Sequence, residues 1–591
     1  MDINKRTILW IVFAVSLFVL WNNWQVSNGH PSMFAPPPPA AKAPEAKKSD
    51  VPAASTAGAV PGAAANGATG AAGANGAAEA APFKAERITI TTDVVRADID
   101  TQGGVIRRLE LLKYKENGHP GWFGGCFGMF EWCKPGDNSK NIVLFDVDAG
   151  TGKTYLGRTG LIGAPDLPNH TSGFVAKPGP RMLNDANQVQ LVLESESGGV
   201  KLTKTFTFKR GDYVVDVRHD VTNTGTAAVS PQLYLQLAHD GNKPAGDSFF
   251  NSSYTGPTMY TDEKRYEKLQ FEKLEKAAQE AEKTGKPVLQ DHVTKADNGW
   301  IAISQHFFVS AFIPQPKLMH DITTEKISSN VYGISVKQPL GTLAPGASVS
   351  NDAKLFAGPQ EAQLLEKVSP GLELVRDYGW LAMIAKPMFW VIEHIHTVTG
   401  NWGWTIIAFT ILIKLLFFPL SAAGYRSMAK IKLVTPKMQA IRERYKGDPA
   451  KMNQATMELY KQEKINPLGG CLPIVVQMPV FISLYYVLQS AVEIRGAPWM
   501  GWITDLAQHD PYAILPVLYA ISMYITTKLN PAPADPMQAK MMLFMPLAFS
   551  VMFFFFPSGL VLYWVVNNVL SIAQQYVITK KFGTPPEPVK A

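Results

Sequence analysis

The chain has 591 residues, 46% of them hydrophobic, with a formal net charge of +7 and three cysteines. That length accommodates more than one independently packed unit, and Cys126, Cys133 and Cys471 have no metal-knuckle spacing. The excess positive charge lies in short segments beside apolar runs, which fits a membrane topology signal and argues against a DNA-binding surface.

At the N-terminus, Lys5 and Arg6 precede a continuous apolar segment, Ile8 to Trp21. Counted on to Val26, it approaches the ~20 residues of a bilayer span. A cleaved signal peptide shares the positive start and apolar core, but the following NNWQVSNGH has no Ala-x-Ala pattern. Residues 1–26 therefore read as an uncleaved anchor with its N-terminus inside. Residues 27–83 are Pro-rich, then Ala/Gly-rich. They bury too little apolar surface to offset the entropy of ordering and read as a tether.

Period-two patterning dominates residues 84–360. It is visible in RITITTDVV (Arg87–Val95), VQLVLESE (Val189–Glu196), KLTKTFTFKR (Lys201–Arg210) and DYVVDVRHDV (Asp212–Val221). QLYLQLA (Gln232–Ala238), WIAISQHFFVSAFI (Trp300–Ile313) and VYGISV (Val331–Val336) continue the series. Many strands separated by Gly, Pro and Asn predict an antiparallel β-sandwich. The charged stretch Asp262–Lys283 reads as a short solvated helix or a polar loop. Cys126 and Cys133 flank a Trp/Phe/Gly-rich loop; in an oxidising compartment they form either a disulfide or two buried thiols. Gly152-Lys153-Thr154 imitates the end of a phosphate loop, but the required upstream Gly is Val147, so it reads as a turn.

Residues 370–397 are apolar with scattered charges and carry Trp380 and Trp390, as in a helix lying in a membrane interface; the alternative is a helix packed on the β domain. His394 and His396 are two apart and do not share a helix face, which argues against a metal site. Five apolar runs follow, giving predicted spans at 401–420, 471–492, 512–529, 541–556 and 558–578. With the anchor they make six. Segment 421–470 holds ten Lys and Arg residues between Arg426 and Lys464, whereas loop 493–511 holds only Arg495. The positive-inside rule places 421–470, loop 530–540 and the tail 579–591 in the cytoplasm, with loop 493–511 and the β domain outside. Within 421–470, Thr435-Pro436 and Asp448-Pro449 each look like a helix start. They predict a helical hairpin that turns at Lys446-Gly447-Asp448 and bears Arg442, Arg444 and Lys446; it reads either as a surface for ribosomal RNA, lipid headgroups or a nascent chain, or as an ordinary positive-inside loop, and charge alone does not decide between them.

Lys414 lies inside the first run, ILIKLLFF. A charge at mid-span costs roughly 2.5 to 3.5 kcal/mol and as a rule faces a cavity or a partner. Snorkelling is the alternative, because the cytoplasmic end at Leu420 is about 9 Å of helix rise away. None of the five runs contains an acidic residue, so a wet groove open to the cytoplasm is the predicted environment. Thr410 lies one turn earlier on the same face. Gln477, Asn567, Asn568, Gln574 and Gln575 add polarity in other spans; the alternative for each is an interhelical hydrogen bond, worth about 0.6 kcal/mol on average.

Five stretches together resemble the YidC family of membrane protein insertases, in its Gram-negative form. They are GNWGWTII (Gly400–Ile407), MAKIKLVTPKMQAIRERY (Met428–Tyr445), INPLGGCLPIVVQMPVFISLYYVL (Ile465–Leu488), DPMQAKMM (Asp535–Met542) and FPSGLVLYW (Phe556–Trp564). The resemblance implies a polytopic α-helical membrane protein of the bacterial inner membrane. Its five-helix core would enclose a hydrophilic groove, and its periplasmic all-β domain would be a supersandwich. It implies nascent membrane proteins as substrates, inserted alone or beside the Sec translocon, with no cofactor and no catalysis. The family's groove cation maps to Lys414, where many members have Arg; the charge is kept and the fork geometry lost. Thr410 and Gln477 map to groove-side positions, and Trp564 to a substrate contact that is often Tyr. The rival readings are a secondary transporter or channel, a membrane enzyme, and an assembly scaffold. The spans lack the acidic groups and inverted repeats of a transporter. The chain also lacks the Gly-x-Ser-x-Gly and His-Glu-x-x-His patterns of common hydrolases.

Overall fold

The computed structural model describes residues 83–116, 139–148, 150, 152–242, 254–285, 290–445, 447–463, 472–529, 541, 544–545, 548 and 550–582. The anchor at 1–26, the tether up to residue 82, Cys126, Cys133, Lys446 and loop 530–540 lie outside them.

Residues up to Pro359 build two sheets, and every pairing between their strands is antiparallel. The first runs Arg87–Thr91, Val95–Asp100, Val105–Lys115, Lys153–Ile162, Gln232–Asp240, Val331–Pro339, His320–Ser328 and Lys295–Ala296. The second runs Arg265–Lys268, Gly256–Thr261, Trp300–Ser304, Phe308–Ile313, Ser348–Pro359, Val214–Asn223, Val200–Lys209, Gln188–Ser197 and Val175–Ala176. Their inner faces share one core. Leu235 and Val336 come from the first sheet, and Leu202, Phe206 and Leu355 from the second. Each such side chain contributes about 1.5–3 kcal/mol by leaving water. Strand Gln232–Asp240 is buried along its whole length, since it has a neighbour on each edge and the second sheet across its face.

Two sequence expectations change in detail. Trp300–Ile313 is a hairpin, not one strand: Gln305 N–H donates to Phe308 O at 2.9 Å, and Ser304 pairs with Val309. The charged stretch from Asp262 contains a strand, Arg265–Lys268, before helix α1 (Phe271–Thr284). Gly152 takes a left-handed φ of 70° and turns the chain into strand Lys153–Ile162. Helix α2 (Ala362–Val368) ends the β domain, with Leu365 in its core.

The second half is helical. Helix α3 (Ala382–Thr399) buries Ala385, Met388, Phe389 and Ile392, a stripe at helical spacing. The stripe packs on two later helices, α4 (Trp402–Leu416) and α7 (Leu472–Ser490), rather than on the β domain. Met383, Trp390 and Val398 remain exposed. Gly400, at φ 64°, ends α3. The expected helix over 401–420 differs: α4 stops at Leu416, and α5 (Phe418–Arg444) leaves at 67°. Pro419 supplies the reason. It lacks the N–H that would have continued the α4 ladder and occupies the first turn of α5.

A helix start at Thr435-Pro436 is also overturned. α5 runs through both residues, and Thr435 Oγ1 donates to Ile431 O at 3.1 Å. Packing outweighs the ~3 kcal/mol preference against interior proline: Val434, Met438 and Ile441 of α5 meet Leu459 and Tyr460 of α6 (Pro449–Gln462). The second start holds, since Asp448 caps α6 by accepting from Lys451 N. Helices α8 (Ile514–Leu529) and α9 (Ser558–Phe582) follow, with helical positions at 541, 544–545, 548 and 550–552 between them. α9 contacts α4, α5, α7 and α8 and is the centre of this half. Among the described residues no single helix is long and apolar enough to cross a membrane by itself, and the bent pair Trp402–Leu416 and Phe418–Ile431 passes that test together.

Candidate functional site

Lys414 is 5% exposed, so it does not snorkel out of the bundle. Its Nζ donates to Ser571 Oγ of α9 at 2.7 Å, and Ser571 Oγ donates to Asn567 O at 2.7 Å. Asn567 Oδ1 accepts from Gln477 Nε2 of α7 at 2.9 Å. Three helices are thereby linked by one polar chain. Asn568 adds a fourth: its Nδ2 donates to Ser522 Oγ of α8 at 3.2 Å. Among the described residues no carboxylate pairs with Lys414. Thr410 shares the buried face, but its hydroxyl donates to Ile406 O at 2.6 Å of its own helix.

Trp564 stands two turns before Ser571 on α9, and Asn567 stands between them. The spacing i, i+3, i+7 puts all three on one stripe. Around the Trp564 ring lie Phe481 of α7 at 4.3 Å, Phe553 at 5.2 Å and Tyr519 of α8 at 5.7 Å between centroids. Trp564 Nε1 is buried and has no acceptor among the described residues. These rings border an apolar cleft of about 500 Å³, to which Met478, Met523, Met545 and Met552 contribute flexible thioethers. Gln477 and Met478 are neighbours on α7, so the polar chain and the cleft share both α7 and α9.

Sequence reasoning named Lys414 and Gln477, which the polar chain links, Trp564, which shares the α9 stripe and lines the cleft, and Thr410, whose hydroxyl is turned to its own helix. It missed Ser571 and Ser522. The signal for Ser571 was its place four residues after Asn567 and seven after Trp564. Arg442 and Arg444 lie far along α5, where Lys437 pairs with Glu463 at 2.5 Å. Among the described residues no cluster of three His, Cys, Asp or Glu side chains is placed to hold a metal ion.

The opposite end of the bundle is capped by loop 495–511. Asn401 Oδ1 accepts from Gly403 N and Trp404 N to cap α4, while its Nδ2 donates to Pro498 O at 3.0 Å. A Cβ on Gly403 would stand 2.1 Å from the Trp499 ring, so only glycine lets the loop sit there. Asp510, 2% exposed, accepts from Trp502 Nε1, Tyr512 N and Leu515 N. Ser558 N and Gly559 N at the start of α9 donate to Gln508 O and Leu506 O. The loop is thus bonded to the N-terminal ends of α4, α8 and α9.

A family profile described as the YidC periplasmic domain matches residues 87–121 and 133–391, and one described as the 60Kd inner membrane protein matches 394–584. The fold and these matches define an inner-membrane protein with a periplasmic β-sandwich and a helical C-terminal part. The Membrane protein insertase YidC of Cupriavidus taiwanensis is 55% identical over 590 residues, covering 99% of this chain and 98% of the relative. That of Janthinobacterium sp. (strain Marseille) is 54% identical over 607 residues, covering 99% and 100%. The chain belongs to the YidC family of membrane protein insertases, whose work is insertion and not catalysis. A crystal structure of an active YidC insertase with its first transmembrane domain resolved aligns at 17% identity and TM-score 0.37, covering 84% of this chain and 94% of that one.

Proposed function

We propose that the polar chain and the methionine-lined cleft are two sides of one path for a nascent membrane protein. The observation that carries this reading is the α9 stripe Trp564–Asn567–Ser571, which joins the buried Lys414 to the apolar cleft. A polar substrate segment enters from the cytoplasm, drawn by the Lys414 ammonium. One of its three N–H donors is held by Ser571 and the others serve an acidic or carbonyl-rich segment. The apolar segment rests on Met478, Met523, Met545, Met552 and the aromatic rings, which adapt to varied side chains. It then leaves sideways into lipid. Loop 495–511 closes the outer end.

The surrounding topology is part of the proposal. Six spans, both termini cytoplasmic, account for the anchor and the five apolar runs. The basic α5–α6 hairpin, with Arg442, Arg444 and Lys446, faces the cytoplasm, where it meets the ribosome and anionic lipid. The Sec translocon is a partner for larger substrates, and the exposed Met383 and Trp390 of α3 rest in the outer membrane interface. Reconstitution tests the reading. Proteoliposomes holding only this protein should integrate a small single-span substrate presented on ribosomes, without solute flux. Flux without a nascent chain would favour a transporter, and neither activity would favour a scaffold.

A further inference from the structure

The seam between the β domain and the helical half holds a buried ion pair that the path above does not use. Leu372 and Val375 belong to the β-domain core, and Tyr378 belongs to the helical core. Arg376 stands between them with its side chain fully enclosed. Its two terminal nitrogens donate to the two carboxylate oxygens of Glu493, each at 2.9 Å. The guanidinium lies 4.0 Å from the ring centre of Phe389 and 5.4 Å from that of Tyr378. Glu493 follows the last residue of α7, Ser490, by three positions. Burial raises its carboxyl above the ordinary range, and the Arg376 charge pulls it back. The seam has further links to the same end of α7. His306 of the β hairpin lies 2.9 Å from Gln489 O, and the Tyr486 ring presses on Gly379, where a Cβ would stand 2.7 Å away. Arg495 lies over Phe308 at 5.5 Å.

A bidentate pair buried in this way adds little stability over apolar residues of equal size; its best-attested use is to fix one register out of several. Here the register belongs to α7, which carries Gln477 in the polar chain and Met478 and Phe481 in the cleft. We propose that Arg376 is a positioning residue: its ion pair with Glu493 fixes the outer end of α7, and with it one wall of the cleft, against the β domain. The inference rests on the cleft being the substrate path.

Two variants of the full-length protein test it. R376Q leaves Glu493 buried and unpaired, while R376M/E493L removes both charges at similar volume. Each is followed by thermal melting, by insertion rate in proteoliposomes, and by photo-crosslinking of ribosome-bound substrate from Phe481 on α7 and from Trp564 on α9. The double variant is expected to melt as the wild type does and to insert about fivefold more slowly or worse. Its Phe481 crosslinks should weaken while those from Trp564 persist. Wild-type insertion and an unchanged Phe481 pattern in the double variant would overturn the proposal. So would a fall in melting temperature with equal loss of both crosslinks, which would make the pair a matter of stability alone. Absence of both crosslinks in the wild type would instead defeat the path itself, so the two failures are distinguishable.

Discussion

Two buried lysines, one in each half of the molecule, show what separates structure from work. Lys204 sits in the β-sandwich with no exposure, and its Nζ donates to Gly103 O at 2.7 Å, Thr159 O at 2.8 Å and Gly104 O at 3.5 Å. All three N–H donors are used, and the Phe174 ring closes the site at 4.5 Å. It cross-links the sheets and has nothing to offer a ligand. Lys414 in the bundle has one hydroxyl partner among the described residues, Ser571, on the α9 stripe that runs back through Asn567 to Trp564 at the cleft. An ammonium with spare donors can take a partner, and a saturated one cannot.

The largest effect should come from reversing the charge that has spare donors. Lys414→Glu places an acid where a substrate's acidic tail is to be attracted, and like charges in contact cost several kcal/mol. Insertion of substrates with acidic translocated tails should fall about a hundredfold in a reconstituted assay, by the same argument, with less effect on neutral tails. Equal insertion of both would show that the charge is dispensable.

The saturated lysine should reveal itself through pH instead. Burial lowers Lys204 to about 7, while the unfolded chain keeps the ordinary lysine value. Between those values the unfolded state binds more protons, so β-domain stability should rise with pH from about 7 upward, by up to about 1.4 kcal/mol per unit. Lys204→Met should flatten that slope in thermal melts across the range. His170 and His219, lowered by burial to about 3, act on the other side. Both are neutral in the fold and charged when unfolded, so stability should decline as pH drops below the ordinary histidine value toward 3. A melt independent of pH over both windows would contradict this account of the sandwich interior.

Smaller effects belong to the capped end. Gly403→Ala drives a methyl into Trp499 and should cost about 1–3 kcal/mol by overpacking. It should also make a cysteine placed at Leu506, now fully buried, reactive to a thiol reagent added from outside. Asn401→Ala removes the α4 cap and should cost about 1 kcal/mol, read as a lowered melting temperature.

The same contrast explains what could be read from the chain. Alternation placed the inner face of Val200–Lys209 correctly, since Val200, Leu202, Phe206 and Phe208 point inward at period two. That same register puts Lys204 inside, a position the pattern dictates and the residue type disguises. Period two could not divide Trp300–Ile313, because the turn at Gln305-His306 contains neither Gly nor Pro. In the helical half, Pro419 was a legible break that apolar length obscured. Thr435-Pro436 was a false one, because the packing of α5 on α6 overrides local proline chemistry. Lys414 was legible because a lone charge in an apolar run needs an environment. Its partner Ser571 was not, since one serine in a polar-rich helix has no signal apart from its spacing to Trp564.

The most direct test of the central claim asks where the substrate lies. A photo-crosslinking residue is placed at Met478 on α7 and at Trp564 on α9, with a control at Val569, an exposed position on α9. Ribosome-bound chains of a small membrane protein are then presented to the membrane-embedded protein. The account predicts crosslinks from Met478 and Trp564, none from Val569, and loss of the early, polar-segment crosslinks in Lys414→Glu. Crosslinks from Val569 alone, or from none of the three with probe incorporation verified, would contradict it.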